Sequence, residues 1–100
     1  MAIPKIDENN ILEALKYIYE ERNAAANGHE TLDTDASAEA ARTGDLTCER
    51  YVLEKGKIQI EVLCNLDKLP EAGAVLFAAW PKIKGATGLP ARVWALSEEQ

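Results

Sequence analysis

The sequence predicts an α+β fold in one domain spanning residues 1–100. Three observations carry that expectation. Large apolar residues near the N-terminus recur at three- and four-residue spacing, the mark of an amphipathic helix. Two short apolar runs near the C-terminus flank a Pro/Gly-rich stretch, the mark of a paired ribbon. The chain of 100 residues is 47% hydrophobic, enough to build one core and too apolar for a disordered segment.

The first element is a helix over residues 8–24. Ile11, Leu12, Leu15, Ile18 and Tyr19 share one of its faces. Asp7 is placed to cap its start, and Glu8 and Glu13 lie near the positive end of its dipole. Asn27-Gly28 reads as the turn that ends it. Residues 25–46 are rich in Ala, Thr, Asp and Gly, with Leu32 and Leu46 the only large aliphatics. They read either as an acidic loop or as a short packed helix over 36–42, capped by Asp35 and ended by Gly44.

Residues 47–69 admit two readings. In one, Thr47 caps a helix that ends near Lys55, Gly56 turns the chain, and a second helix follows over 58–69. Ile58, Val62, Leu66 and Leu69 then share a face. In the other, residues 54–57 form a hairpin turn. Ile58, Ile60, Val62, Cys64 and Leu66 then alternate with polar neighbours as a strand does. Over 74–97, Ala74 to Trp80 and Arg92 to Leu96 read as antiparallel strands, with Gly85 and Gly88 easing the connection. Trp80 and Trp94 are expected to pack this ribbon.

The run Leu66-Asp67-Lys68-Leu69-Pro70-Glu71-Ala72-Gly73-Ala74-Val75 resembles the end of the recognition helix and the start of the wing in winged helix-turn-helix domains. Gly88-Leu89-Pro90-Ala91-Arg92-Val93-Trp94-Ala95-Leu96 resembles the returning wing strand. The resemblance spans residues 47–97 and departs from the family pattern at Lys57 and Leu89. It implies a winged helix with an N-terminal amphipathic helix and a two-stranded wing. The alternative is a set of helices packed on a small antiparallel meander sheet.

The resemblance further implies a small transcriptional regulator that contacts duplex DNA through residues 57–68 and the wing. Its expected DNA contacts are Arg50, Lys55, Lys57, Asn65, Lys68, Lys82, Lys84 and Arg92. A homodimer is expected, because one such module buries little DNA surface. The charge supports this in part. The chain has a net charge of −6, but residues 1–49 carry eleven acids and four bases, while residues 50–100 carry six acids and seven bases. Against it, the outward face of a helix over 57–68 would mix Lys57 and Lys68 with Glu61, Asp67, Ile60 and Cys64, poor partners for a phosphate-lined groove. A second function class therefore stands beside the first: an acidic protein–protein interaction module, acting as adaptor, inhibitor or subunit without DNA.

The side-chain inventory argues against an enzyme. There is one histidine, His29, expected in a solvated loop, and no phosphate-binding, nucleophile-elbow or zinc-protease motif. Cys48, Cys64 and His29 are too few and too scattered for a zinc centre, so neither a metal nor a cofactor is expected. Two cysteines suit reduced thiols in the cytoplasm. The first ten residues lack the pattern of a secretory signal, and no apolar run is long enough to span a membrane.

Overall fold

The apolar spacing of the first segment does draw it into a helix, but the helix changes pitch partway. In the computed structural model, which describes residues 10–98, α1 spans Ile11–Lys16 and continues as a π-helical turn over Tyr17–Glu21. The Arg22 amide donates to the Tyr17 carbonyl at 3.3 Å, the wide spacing of that turn. Helical structure ends at Glu21, short of the expected residue 24, because Asn23 turns left-handed at φ 51°. The expected capping by Asp7 and the placement of Glu8 lie outside the described residues.

Two compact units follow one another in the chain, one running to Val62 and one starting at Leu63. In the first, β1 (Ala26–Gly28), α2 (Ser37–Thr43), α3 (Thr47–Glu54) and β2 (Ile58–Ile60) follow α1. Leu15, Tyr19, Cys48 and Val52 form the core, with Ile11, Leu12, Ile18, Ala24 and Tyr51 packed around it. Val52 is wholly buried. The Tyr19 hydroxyl satisfies itself by donating to Asn27 Oδ1.

Three expectations for this unit are corrected. Asn27-Gly28 is not a turn. It lies in β1, which pairs in parallel with β2, Ala26 opposite Ile58 and Gly28 opposite Ile60. The helix expected over 58–69 does not form. Residues 58–60 are extended, and only Leu66–Lys68 make a single 3-10 turn. Val62 and Asn65 adopt φ of 57° and 63°, which no right-handed helix accommodates. Ile58 and Ile60, β-branched and alternating, take the strand instead because 26–28 offers them a backbone partner. The third correction concerns caps. The short helix forms over Ser37–Thr43 and is ended by left-handed Gly44, as expected, but Asp35 does not cap it. Asp35, 7% exposed, reaches across to α3 and accepts the Cys48 amide at 2.7 Å and the Glu49 amide at 3.0 Å. The carboxylate thereby satisfies two orphan donors at the positive end of α3. Thr47, expected to be the cap, is itself the first residue of that helix.

The second unit is built on the ribbon that the sequence implies. β3 (Val75–Ala79) pairs antiparallel with β4 (Arg92–Leu96), with Phe77 opposite Trp94 and Ala79 opposite Arg92. Gly85 takes φ 74° in the connection, a conformation open to glycine at little cost. The architecture is therefore mixed α+β, with three helices and two small two-stranded sheets among the described residues.

Candidate interaction surface

Opposed residues of an antiparallel pair project to the same face, so the register sorts the ribbon into two sides. Val75, Phe77, Ala79, Arg92, Trp94 and Leu96 share one face, and Leu76, Ala78, Val93 and Ala95 the other. The Phe77 and Trp94 rings stack nearly parallel, with centroids 5.4 Å apart. This stack does not remove them from water. Val75, Leu76, Phe77, Trp94 and Leu96 remain between 39% and 60% exposed, as do Trp80 at 47% and Ile83 at 57% in the connecting segment. Such a concentration of large exposed apolar groups is unusual for the surface of a soluble domain.

The charge on this surface has one sign. Between residues 72 and 97 the only ionised side chains are Lys82, Lys84 and Arg92. Lys82 and Lys84 lie in the exposed connection between the strands, and Arg92 opens β4 on the aromatic face. The result is an apolar, aromatic ribbon with a cationic tip.

The eight residues singled out from sequence divide between the two units. Asn65, Lys68, Lys82, Lys84 and Arg92 belong to the second. Asn65 is left-handed and its Nδ2 contacts Cys64 Sγ at 3.4 Å, while Lys68 ends the 3-10 turn. Arg50, Lys55 and Lys57 belong to the first unit, and each is engaged there. Arg50 pairs with Asp45. Lys55 reaches Glu20 Oε1 at 3.4 Å and lies over the Tyr51 ring. Lys57 lies 5.9 Å from the centre of the Tyr19 ring.

A second cluster, in the first unit, is polar throughout. His29 is half-buried rather than free in solvent. Its Nδ1 lies 2.8 Å from Thr31 Oγ1 and its Nε2 lies 3.0 Å from Thr34 Oγ1, which donates to Gln59 Oε1 at 2.6 Å. Thr31 Oγ1 also donates to the Asp33 carbonyl at 2.9 Å, and the Thr31 carbonyl lies 3.0 Å from His29 Nδ1. This chain of bonds ties the 29–34 segment to β2. Beside it, carboxylate oxygens of Asp33, Glu49 and Glu61 lie within 4.8 Å of one another. Burial, and then the negative charge of Glu61, Asp33 and Asp35, push the Glu49 carboxyl up. The two thiols also differ. Cys48 is buried, and burial together with Asp35 pushes its thiol up to about 12, whereas Cys64 is exposed.

Sequence reasoning found the cations of the ribbon and both its strands, but assigned Trp80 and Trp94 to packing and overlooked Phe77, Val75, Leu76 and Leu96 as surface. The signal was present in the composition, since both strands are apolar at nearly every position and a two-stranded sheet has two faces to cover. The chain matches no protein-family model, no curated protein and no solved structure. Among the described residues no helix is long and apolar enough to cross a membrane.

Proposed function

We propose that this chain is a protein-interaction module whose β3–β4 ribbon docks on a partner protein with an apolar surface rimmed by acidic side chains. The observation that supports this most is the exposure of Val75, Leu76, Phe77, Trp80, Ile83, Trp94 and Leu96 in one unit. The exclusively basic charge between residues 72 and 97 supplies the partner's chemistry, because cations at a rim favour an oppositely charged one. Aromatic anchors such as Phe77 and Trp94 are the residues that carry most of the energy when such surfaces close. The proposed site thus lies in the basic ribbon and not in the acidic first half of the chain.

Duplex DNA is the second reading, favoured by Lys82, Lys84 and Arg92 at the ribbon tip. It has to operate without a helix over 58–69, since that segment is extended at 58–60 and makes only one short turn beyond. The test compares three variants of the full chain as bait. A protein captured by the unmodified chain is expected to be lost with Trp94→Ser and with Lys82→Glu/Lys84→Glu, and retained with Glu39→Lys on α2. Capture unaffected by the first two changes overturns the docking surface. In a parallel titration with labelled duplex DNA at low salt, binding that weakens with salt at a log–log slope of about −2.7, for three phosphates neutralised, would move the assignment to DNA.

A further inference from the structure

We infer that the free edge of β3 pairs with β3 of a second copy of this chain, antiparallel about Phe77, to give a continuous four-stranded sheet. A two-stranded ribbon is marginal in water, and three or more strands are the usual minimum. β3 and β4 pair only with each other among the described residues, so each presents one edge of backbone donors and acceptors. The two edges differ in protection. β4 opens with the charged Arg92, whereas β3 reads Val-Leu-Phe-Ala-Ala and carries no charge. Charged side chains on an edge strand oppose pairing, and β3 has none.

The sequence of β3 also selects the occupant. Reversed about Phe77, it meets itself with Val75 opposite Ala79 and Leu76 opposite Ala78 of the other copy. Each bulky side chain faces a small one, and the only like pair is Phe77 with Phe77. Directly opposed residues share a face, so Phe77 keeps its Trp94 neighbour. The dimer sheet then carries a row of four aromatic rings, Trp94, Phe77, Phe77 and Trp94, across its width. Cross-strand aromatic pairs of this kind stabilise sheets. The charges agree with this arrangement. Lys82 and Lys84 follow the C-terminal end of β3, and an antiparallel two-fold places them at opposite ends of the shared edge. Five residues separate those ends by about 17 Å, roughly twice the screening length at physiological salt. The pairing is isologous and closes on itself, so it forms a dimer and not a fibre.

This inference uses the edge of the ribbon and the partner-docking proposal uses its faces, so the experiment contains no partner and the two fail separately. Sedimentation of the full chain is expected to show a dimer fraction that rises with concentration, and Phe77→Lys, which sets like charges face to face, is expected to weaken it at least about tenfold. Register is read by thiol capture in a Cys64→Ser background, with oxidised glutathione as the oxidant. Phe77→Cys places the two thiols on the dyad, where opposed Cα atoms lie about 4.5–5.5 Å apart and a disulfide can close. Val75→Cys faces Ala79 of the other copy, so a covalent dimer is expected from Phe77→Cys and not from Val75→Cys. A monomer up to millimolar protein overturns the inference. So does a dimer in which Val75→Cys cross-links as readily as Phe77→Cys, or in which neither does.

Discussion

The two units use the same kinds of residue in opposite ways. Up to Val62, large apolar side chains turn inward: Leu15, Tyr19 and Val52 are buried, and even the carboxylate of Asp35 is enclosed with two amide donors. From Leu63 on, side chains of equal size are largely exposed on a two-stranded ribbon. The first unit carries thirteen acids and seven bases, whereas the stretch that holds the ribbon is purely basic. The difference teaches that apolar content alone does not say where a core is. Helix α3 and the α1 segment bury each other, while the two strands β3 and β4 keep their large apolar side chains largely exposed.

Core substitutions should break that contrast most visibly. Leu15→Ala is expected to cost about 3 kcal/mol in urea unfolding, because it removes buried methyl groups and leaves a cavity. Leu76→Ala, at 53% exposure, is expected to cost less than about 1 kcal/mol by the same measurement. Equal losses at the two positions would show that the ribbon is covered in solution.

Next in size comes Asp35→Ala, expected to cost about 2 kcal/mol. It deprives the Cys48 and Glu49 amides of their acceptor at the buried start of α3. An unchanged urea midpoint would show that water replaces the carboxylate without penalty. Thiol labelling sharpens the comparison between units without perturbing either. Cys64 should react with iodoacetamide under native conditions. Cys48, buried and with its thiol pushed up to about 12, should react only as the first unit opens, at a rate that tracks its stability.

The smallest effect belongs to Glu49. Its proton is held more tightly in the folded chain than in the unfolded one, so ionisation weakens the fold as pH rises through the raised value. Glu49→Gln should therefore give a small gain in stability near neutral pH, less than any loss above. The gain should disappear as pH falls below the ordinary glutamate range. A gain that persists in acid would assign the effect to packing and not to the charges of Glu61, Asp33 and Asp35.

Much of the local structure could be read from the residues themselves. The apolar face of residues 11–19, the short helix closed by Gly44, the helix from Thr47, the turn at Gly56 and the two ribbon strands are all specified by nearby residues. Such signals are local, and a capping glycine or an apolar period acts within a few positions. Lys82, Lys84 and Arg92 were legible as an exposed basic group for the same reason, because no acid lies near them in the chain.

Tertiary structure decided what those residues left open. Residues 58–60 satisfy a helical and an extended pattern about equally. Parallel pairing with Ala26–Gly28, more than thirty residues earlier, settled the matter in favour of the strand. Asp35 had a local helix to cap and instead caps α3, because the fold brings the Cys48 and Glu49 amides within reach of its carboxylate. His29 left the solvent for a hydrogen-bonded chain ending on Gln59, again across the β1–β2 pairing. In each case the deciding partner is distant in sequence. Periodicity and capping rules carry only short-range information, and the choice between nearly equal local conformations passes to whichever long-range backbone or side-chain partner satisfies the buried polar groups.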